Sequence, residues 1–204
     1  MRLIGMLDSP YVRRVAVSLK IMGIPFSHES VSLFSQYKAF EAINPVVRAP
    51  TLVTDGGATL MESTLILDYL EHLVADDRRL TPIALDDYVR SQRLIGLALA
   101  ACDKAVQMVY EFNLRPTEKQ HQPWIDRVGK QLLAALDLLE KEIGSCEKWI
   151  FNARPLQADI SVAVAWRFIQ SVLSDVVVKE KFPGLSAFSQ RAEALPEFAS
   201  LPLK

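Results

Sequence analysis

Apolar and polar positions along the first part of the chain alternate between two periods. Leu3-Ile4-Gly5-Met6 is a short apolar run with no helical face, and it predicts a buried strand. Ser9-Pro10 then opens a helix, because serine is a good N-cap and proline is favoured at the first helical position. Val12, Val15, Ala16, Leu19 and Met22 follow at helical spacing, and Gly23 ends the element. Residues 26–29 predict a second strand, and residues 37–42 a short helix stopped before Asn44-Pro45. Thr51-Leu52-Val53 and residues 58–61 predict two strands joined by a turn at Asp55-Gly56-Gly57. Ser63 is expected to cap a third helix, with Ile66, Tyr69, Leu70 and Leu73 on one face. The order implies an α/β unit with a mixed four-stranded sheet, parallel at its start and antiparallel at the hairpin.

The pattern changes after a polar stretch that contains Asp76-Asp77-Arg78-Arg79 and Pro82. From there every periodic segment is helical. Leu94, Ala98, Ala101, Ala105, Met108 and Phe112 step by threes and fours, as do Val128, Leu132, Ala135, Leu139 and Ile143. Residues 158–173 are apolar on most sides, as in a central buried helix. Phe182-Pro183-Gly184 interrupts the chain before a last short helix ending near Pro196. The expected organisation is a first domain over 1–75, a linker over 76–86 and an all-helical domain over 87–204.

Composition narrows the function. Half of the 204 residues are apolar and the formal net charge is -1, so nothing draws the chain to nucleic acid or to an acidic membrane. The two cysteines, Cys102 and Cys146, form no CxxC, and His28, His72 and His121 are scattered, so no metal site is expected. The N-terminal stretch lacks the apolar core of a signal peptide, and no run reaches the roughly 18 apolar residues of a membrane span. A cytoplasmic protein is expected.

Three local features of the first domain carry candidate chemistry. Asp8-Ser9-Pro10 begins a helix, whose free N–H groups and partial positive charge favour an anion. On local pattern alone Ser9 reads as an ordinary cap. Arg48-Ala49-Pro50-Thr51 puts a proline just before a strand, at an edge position or after a cis bond. Glu62-Ser63 offers a carboxylate and a hydroxyl at another helix start, where a cap with a dipole-friendly acid is the common arrangement.

Strings across the chain resemble a known family. Ser9-Pro10-Tyr11-Val12-Arg13-Arg14-Val15 resembles the S-P-(F/Y)-(V/C)-(R/K)-(R/K)-(V/L) opening of bacterial glutathione transferases. Asn44-Pro45-Val46-Val47-Arg48-Ala49-Pro50-Thr51-Leu52 is similar to their N-P-x-G-K-V-P-x-L segment. Glu62-Ser63-Thr64-Leu65-Ile66-Leu67-Asp68-Tyr69-Leu70 resembles their (E/D)-S-x-x-I-x-x-Y-L helix start, and Ala158-Asp159-Ile160 the A-D-I of their buried helix. The resemblance implies a thioredoxin-like domain followed by a helical bundle. It implies glutathione as co-substrate, conjugation to a small hydrophobic electrophile in detoxification, and a homodimer.

By the same resemblance Ser9 is the hydroxyl that steadies the glutathione thiolate. Ala49, before a cis Pro50, pairs its backbone with the cysteinyl part. Glu62 and Ser63 hold the γ-glutamyl end, and Arg48 reaches the glycyl carboxylate, which an arginine can grip bidentately. Lowering a thiol from about 8.5 by one to two units needs about 1.4–2.7 kcal/mol. A charge-assisted hydrogen bond supplies roughly 1.5–3 kcal/mol and a helix terminus roughly 0.3–1, so no general base is required. The electrophile pocket is expected between the domains, with Tyr11, Gln107, Met108, Tyr110 and Trp166 as candidates, although Met and aromatic residues at helical spacing are usually packing.

Two departures stand out. Val47 occupies the family's usual Gly, and Leu156 the usual capping Ser or Thr three before Asp159. Serine at position 9, where reductase relatives carry Cys, argues against mixed-disulfide chemistry. The rival readings are a non-catalytic binding protein of the stringent starvation protein A type, which binds RNA polymerase, and a glutathione-dependent isomerase or dehalogenase. Isomerase relatives typically carry S-S-C where this chain has Asp8-Ser9-Pro10.

Overall fold

The computed structural model describes residues 1–144, 146–151 and 154–203. The chain divides into two compact units, Met1–Thr81 with Leu195–Lys204, and Pro82–Ala194.

The first unit is built on a four-stranded sheet in the order β2-β1-β3-β4. Strands β1 (Arg2–Ile4) and β2 (Ser27–Glu29) pair in parallel, Leu3 facing His28. Strands β3 (Thr51–Val53) and β4 (Thr59–Met61) pair antiparallel, and β3 runs antiparallel to β1, so the sheet is mixed. Helix α1 (Pro10–Ile21) crosses between β1 and β2, α2 is the single turn and a half Tyr37–Glu41, and α3 (Ser63–Glu71) follows β4. Leu3, Ile4, Val12, Val15, Ala16, Leu19, Leu52, Ile66 and Leu70 form the unit's core, all shielded from water.

Several boundaries move from their expected places, each for a local reason. Strand β1 ends at Ile4 rather than Met6, because Gly5 takes φ +131 and turns the backbone out of the extended conformation. The cap of α3 is Glu62, not Ser63: its carboxylate accepts from the N–H groups of Thr64 and Leu65 at 3.1–3.2 Å. Helix α4 (Leu85–Leu114) begins inside the expected linker, with Asp86 and Asp87 complementing its dipole in the first turn. Pro196 opens a further helix, α8 (Pro196–Ala199), rather than closing the one before it.

Residues after 194 belong to the first unit and not to the helical one. A buried arginine explains their return. Arg13 Nε donates to the Leu201 carbonyl at 2.9 Å, and its guanidinium lies 5.8 Å from the centre of the Phe198 ring. Phe198 is buried, and α8 packs on α1.

The second unit is helical throughout its described residues. Helices α4, α5 (Gln122–Ile143), α6 (Gln157–Val172) and α7 (Pro183–Glu193) pack as α4 on α5 and α6, with α7 on α5 and α6. The stripes expected on α4 and α5 are buried, and α6 is buried on nearly every side from Gln157 to Phe168. Leu156 carries no side-chain acceptor for the N-terminus of α6, as expected. Asp159 supplies the other half of the cap: its carboxylate accepts from the N–H of Leu156 at 2.9 Å and of Ile150 at 2.8 Å. No helix of the described residues is long and apolar enough to cross a membrane.

Candidate active site

Helix α1 begins at Pro10 because Ser9 precedes it in an extended conformation, φ -72 and ψ 121. The Ser9 oxygen accepts from the Val12 N–H at 3.4 Å, a long capping bond, and the residue is half-buried. A hydroxyl has two lone pairs and one proton, so this bond leaves the O–H able to donate. The cap and the proposed donor are therefore compatible in one group. Tyr11, the next helical residue but one, is half-buried in the same turn.

The Ala49–Pro50 bond is cis, one of the two arrangements the sequence left open. Pro50 is buried and Ala49 half-buried. Among the described residues neither the N–H nor the C=O of Ala49 has a hydrogen-bond partner. This turn sits against the start of α1 because Gly5 has no side chain. A Cβ there would lie 2.7 Å from Val12 Cγ2 and 3.1 Å from Ala49 Cβ. Gly5 is thus a site residue that periodicity could not single out, since an apolar strand tolerates it without comment.

The loop before the turn is held by Asn44. Its Nδ2 donates to Thr51 Oγ1 at 2.9 Å, its Oδ1 accepts from the Val46 N–H at 3.1 Å, and Thr51 Oγ1 donates to the Arg48 carbonyl at 2.7 Å. Arg48 itself is exposed. Val47 takes φ +51, the left-handed conformation that glycine adopts without cost. The loop keeps the backbone that the family's Gly favours, and the β-branched side chain is strained in it. Relieving that strain is worth roughly 1–2 kcal/mol, and the extra chain entropy of glycine subtracts roughly 0.5–1. Val47→Gly is therefore expected to raise the unfolding free energy by up to about 1.5 kcal/mol in urea titrations. A drop in stability would mean that the Val47 side chain contributes packing that outweighs the strain.

Glu62 is the second strained residue, at φ +72 and ψ 119. Its conformation brings the carboxylate back over the N-terminus of α3. Ser63 is buried, and Arg14 reaches it from α1: Nη1 donates to Ser63 Oγ at 3.1 Å and to Thr64 Oγ1 at 3.4 Å. Arg14 is buried too and was not anticipated as a site residue, since it lies off the apolar stripe of α1. Gly5 and Arg14 thus bring the three segments around Ser9, Ala49-Pro50 and Glu62-Ser63 onto the same helix of one unit.

The expected electrophile residues do not form one group. Met108 is buried, with its thioether against Gly129 of α5, so it is core. Trp166 is buried with its ring 5.6 Å from that of Phe182, and it lines a cavity with Arg167, Gln170 and Glu193. Gln107 and Tyr110 line a different cavity near the end of α4. Met108 lies on the buried stripe of α4, whereas Gln107 and Tyr110 stand off that stripe and face the cavity. No cluster of three or more His, Cys, Asp or Glu able to hold a metal occurs among the described residues, and neither Cys102 nor Cys146 is part of a disulfide there.

A mixed four-stranded sheet with a cis-proline turn beside a serine-capped helix, followed by an all-helical unit, is the architecture of the glutathione-transferase fold. Residues 3–78 match the family model of the glutathione S-transferase N-terminal domain, and residues 122–191 that of the C-terminal domain. The chain belongs to the glutathione S-transferase family. It is 31% identical over 159 residues to the maleylacetoacetate isomerase of Pseudomonas aeruginosa, covering 72% of this chain and 71% of that one. It is 25% identical over 142 residues to glutathione S-transferase U6 of Arabidopsis thaliana, covering 70% of this chain and 60% of the plant protein's length. Among solved structures, a glutathione S-transferase of Methylobacterium radiotolerans in complex with glutathione sulfonate superposes with a TM-score of 0.90 at 26% identity, covering 100% of this chain and 95% of that one.

Proposed function

We propose that this protein is a glutathione transferase in which Ser9 steadies the glutathione thiolate for attack on a small hydrophobic electrophile. The observation that carries this reading is the state of the Ser9 hydroxyl. Its oxygen is used by the Val12 N–H, its proton is left for a ligand, and it stands at the start of a 12-residue helix. A thiolate there meets a hydrogen-bond donor and the positive end of a helix together. The sulfur then attacks the electrophilic carbon, a carbon–sulfur bond forms, and the leaving group departs with its electron pair.

The unpaired backbone of Ala49 suits an extended peptide, which would pair its cysteinyl N–H and C=O there. Glu62 and Ser63 together suit a group bearing both an ammonium and a carboxylate, as the γ-glutamyl end does. Exposed Arg48 suits the glycyl carboxylate. The relative held in complex with glutathione sulfonate supports glutathione as the ligand. Pairing of two copies into a homodimer is proposed from the family alone.

Likeness to a maleylacetoacetate isomerase favours a second reading, in which the thiolate adds to an unsaturated acid and leaves again after a bond rotates. Asp8 before Ser9, in place of the serine of that signature, counts against it. Incubation with glutathione and chlorodinitrobenzene discriminates. Release of chloride with a stable conjugate is expected. Retention on glutathione-agarose without any turnover would favour the binding-protein reading, and no retention at all would remove glutathione from the account.

A further inference from the structure

Both backbone groups of Gly5 are held by β2, one of them by a side chain. Strand β1 runs parallel to β2, with Leu3 facing His28 and Ile4 facing Glu29. The ladder continues one step past the strands, where the Gly5 N–H donates to the Glu29 carbonyl at 3.0 Å. In a regular parallel ladder the Gly5 carbonyl would next accept from the N–H of Val31. That N–H turns back to the Glu29 carbonyl instead, at 3.0 Å, just past the end of β2. The half-buried His28 side chain takes its place: its Nε2 lies 2.8 Å from the Gly5 oxygen. A carbonyl oxygen can only accept, so Nε2 carries the proton.

That bond leads along the chain to the candidate site. The Gly5 carbonyl belongs to the peptide that joins Gly5 to Met6, and the Met6 carbonyl accepts from the Ser9 N–H at 3.2 Å. Gly5 also stands where a Cβ would meet Val12 and Ala49. Fixing this one peptide plane fixes the direction in which the chain leaves β1, and with it the place where Ser9 is set down.

The plane needs an outside hold because glycine has more backbone freedom than any other residue, and here it adopts φ +131. A group that acts on a ligand must be kept close to its working position. A displacement of roughly 1 Å can cost about a hundredfold in rate.

We propose that His28 is a positioning residue for Ser9, acting through the Gly5 carbonyl rather than on the ligand. This role rests on the transferase reading and adds to it the group that aims the hydroxyl at the sulfur.

Two readouts on the full chain test the proposal: chloride release from chlorodinitrobenzene, and the thiolate absorbance of bound glutathione against pH. His28→Phe keeps a ring and removes the donor. It is expected to lower turnover near neutral pH about fivefold, with KM for glutathione within about twofold of the wild type. The ionisation of bound glutathione is expected to move upward, toward about 8.5. His28→Gln, whose amide nitrogen can reach the same oxygen, is expected to restore both readouts, and the shorter His28→Asn is not. Added to Ser9→Ala, His28→Phe is expected to cost less than about twofold, because the group it aims is gone. Wild-type turnover in His28→Phe overturns the proposal. So does an equal loss with and without Ser9, or a loss of turnover with the ionisation of bound glutathione unmoved. Should circular dichroism show His28→Phe unfolded, equal behaviour of His28→Gln and His28→Asn overturns it. If Ser9→Ala lowers turnover and His28→Phe does not, this inference alone fails. If Ser9→Ala changes neither readout, the reading of Ser9 fails and this inference with it.

Discussion

Replacing Ser9 with alanine is expected to lower the rate of glutathione conjugation near neutral pH by about ten- to a hundredfold. The size follows from the hydrogen bond removed. A charge-assisted bond of roughly 1.5–3 kcal/mol corresponds to one to two units of thiol ionisation, and the thiolate fraction falls by that factor. Two further results separate this cause from damage to the fold. The deficit should shrink as pH rises toward the unperturbed thiol value of about 8.5, because ionisation then needs no help. Affinity for glutathione should change little, since the tripeptide is held elsewhere. Ser9 also caps α1, so the same substitution removes about 0.5–2 kcal/mol of stability. Ser9→Thr keeps both the cap and the donor, and is expected to retain activity. A pH-independent deficit in Ser9→Ala would assign the loss to the helix rather than to the thiolate.

Asp159→Ala has the largest expected effect on stability, a loss of about 2–5 kcal/mol. The carboxylate is fully buried and serves the N–H groups of Ile150 and Leu156, and each donor left unpaired costs roughly 1–3 kcal/mol. Its titration gives a second readout. Burial raises the Asp159 carboxyl to about 6, against the opposing pull of its backbone donors. An aspartate in the unfolded chain titrates near 3.9. The folded state therefore holds the proton more tightly. Stability from this group is full below about pH 4 and falls as pH rises to about 6, by up to about 3 kcal/mol, then levels off. Urea midpoints measured across that window should slope downward in the wild type and lack this component in Asp159→Ala. Parallel slopes in the two proteins would show that Asp159 does not change its protonation there.

The same residue illustrates what a sequence discloses. Leu156 in place of a capping Ser or Thr is legible as a missing half-box. The carboxylate's second bond, to Ile150, is not, because it joins residues nine apart through a loop of no regular period. The succession of strands and helices in the first unit and the helices of the second were legible because hydrophobic spacing reports directly on burial. The cap of α3 was not, since a glutamate at φ +72 contradicts the preferences by which caps are recognised. Pro196 has the same appearance whether it ends one helix or starts another, and only the packing of Phe198 near Arg13 decides.

The candidate site divides in a similar way. Ser9, Arg48, Ala49, Pro50, Glu62 and Ser63 came forward through resemblance, because each taken locally is an ordinary cap, surface charge or strand start. The cis bond at Ala49–Pro50 belongs to the same class. Gly5 and Arg14 escaped notice, since their roles are spatial: a missing Cβ between Val12 and Ala49, and a buried guanidinium between α1 and Ser63. Of the electrophile candidates on α4, Met108 lies on the buried stripe, while Gln107 and Tyr110 lie off it and line the cavity at the helix end.

The ultraviolet absorbance of the thiolate, followed against pH for glutathione bound to the wild type and to Ser9→Ala, bears most directly on the mechanism. Bound glutathione should ionise one to two units below about 8.5 in the wild type and return toward that value in the variant. Identical titration curves for the two proteins would contradict the role given to Ser9.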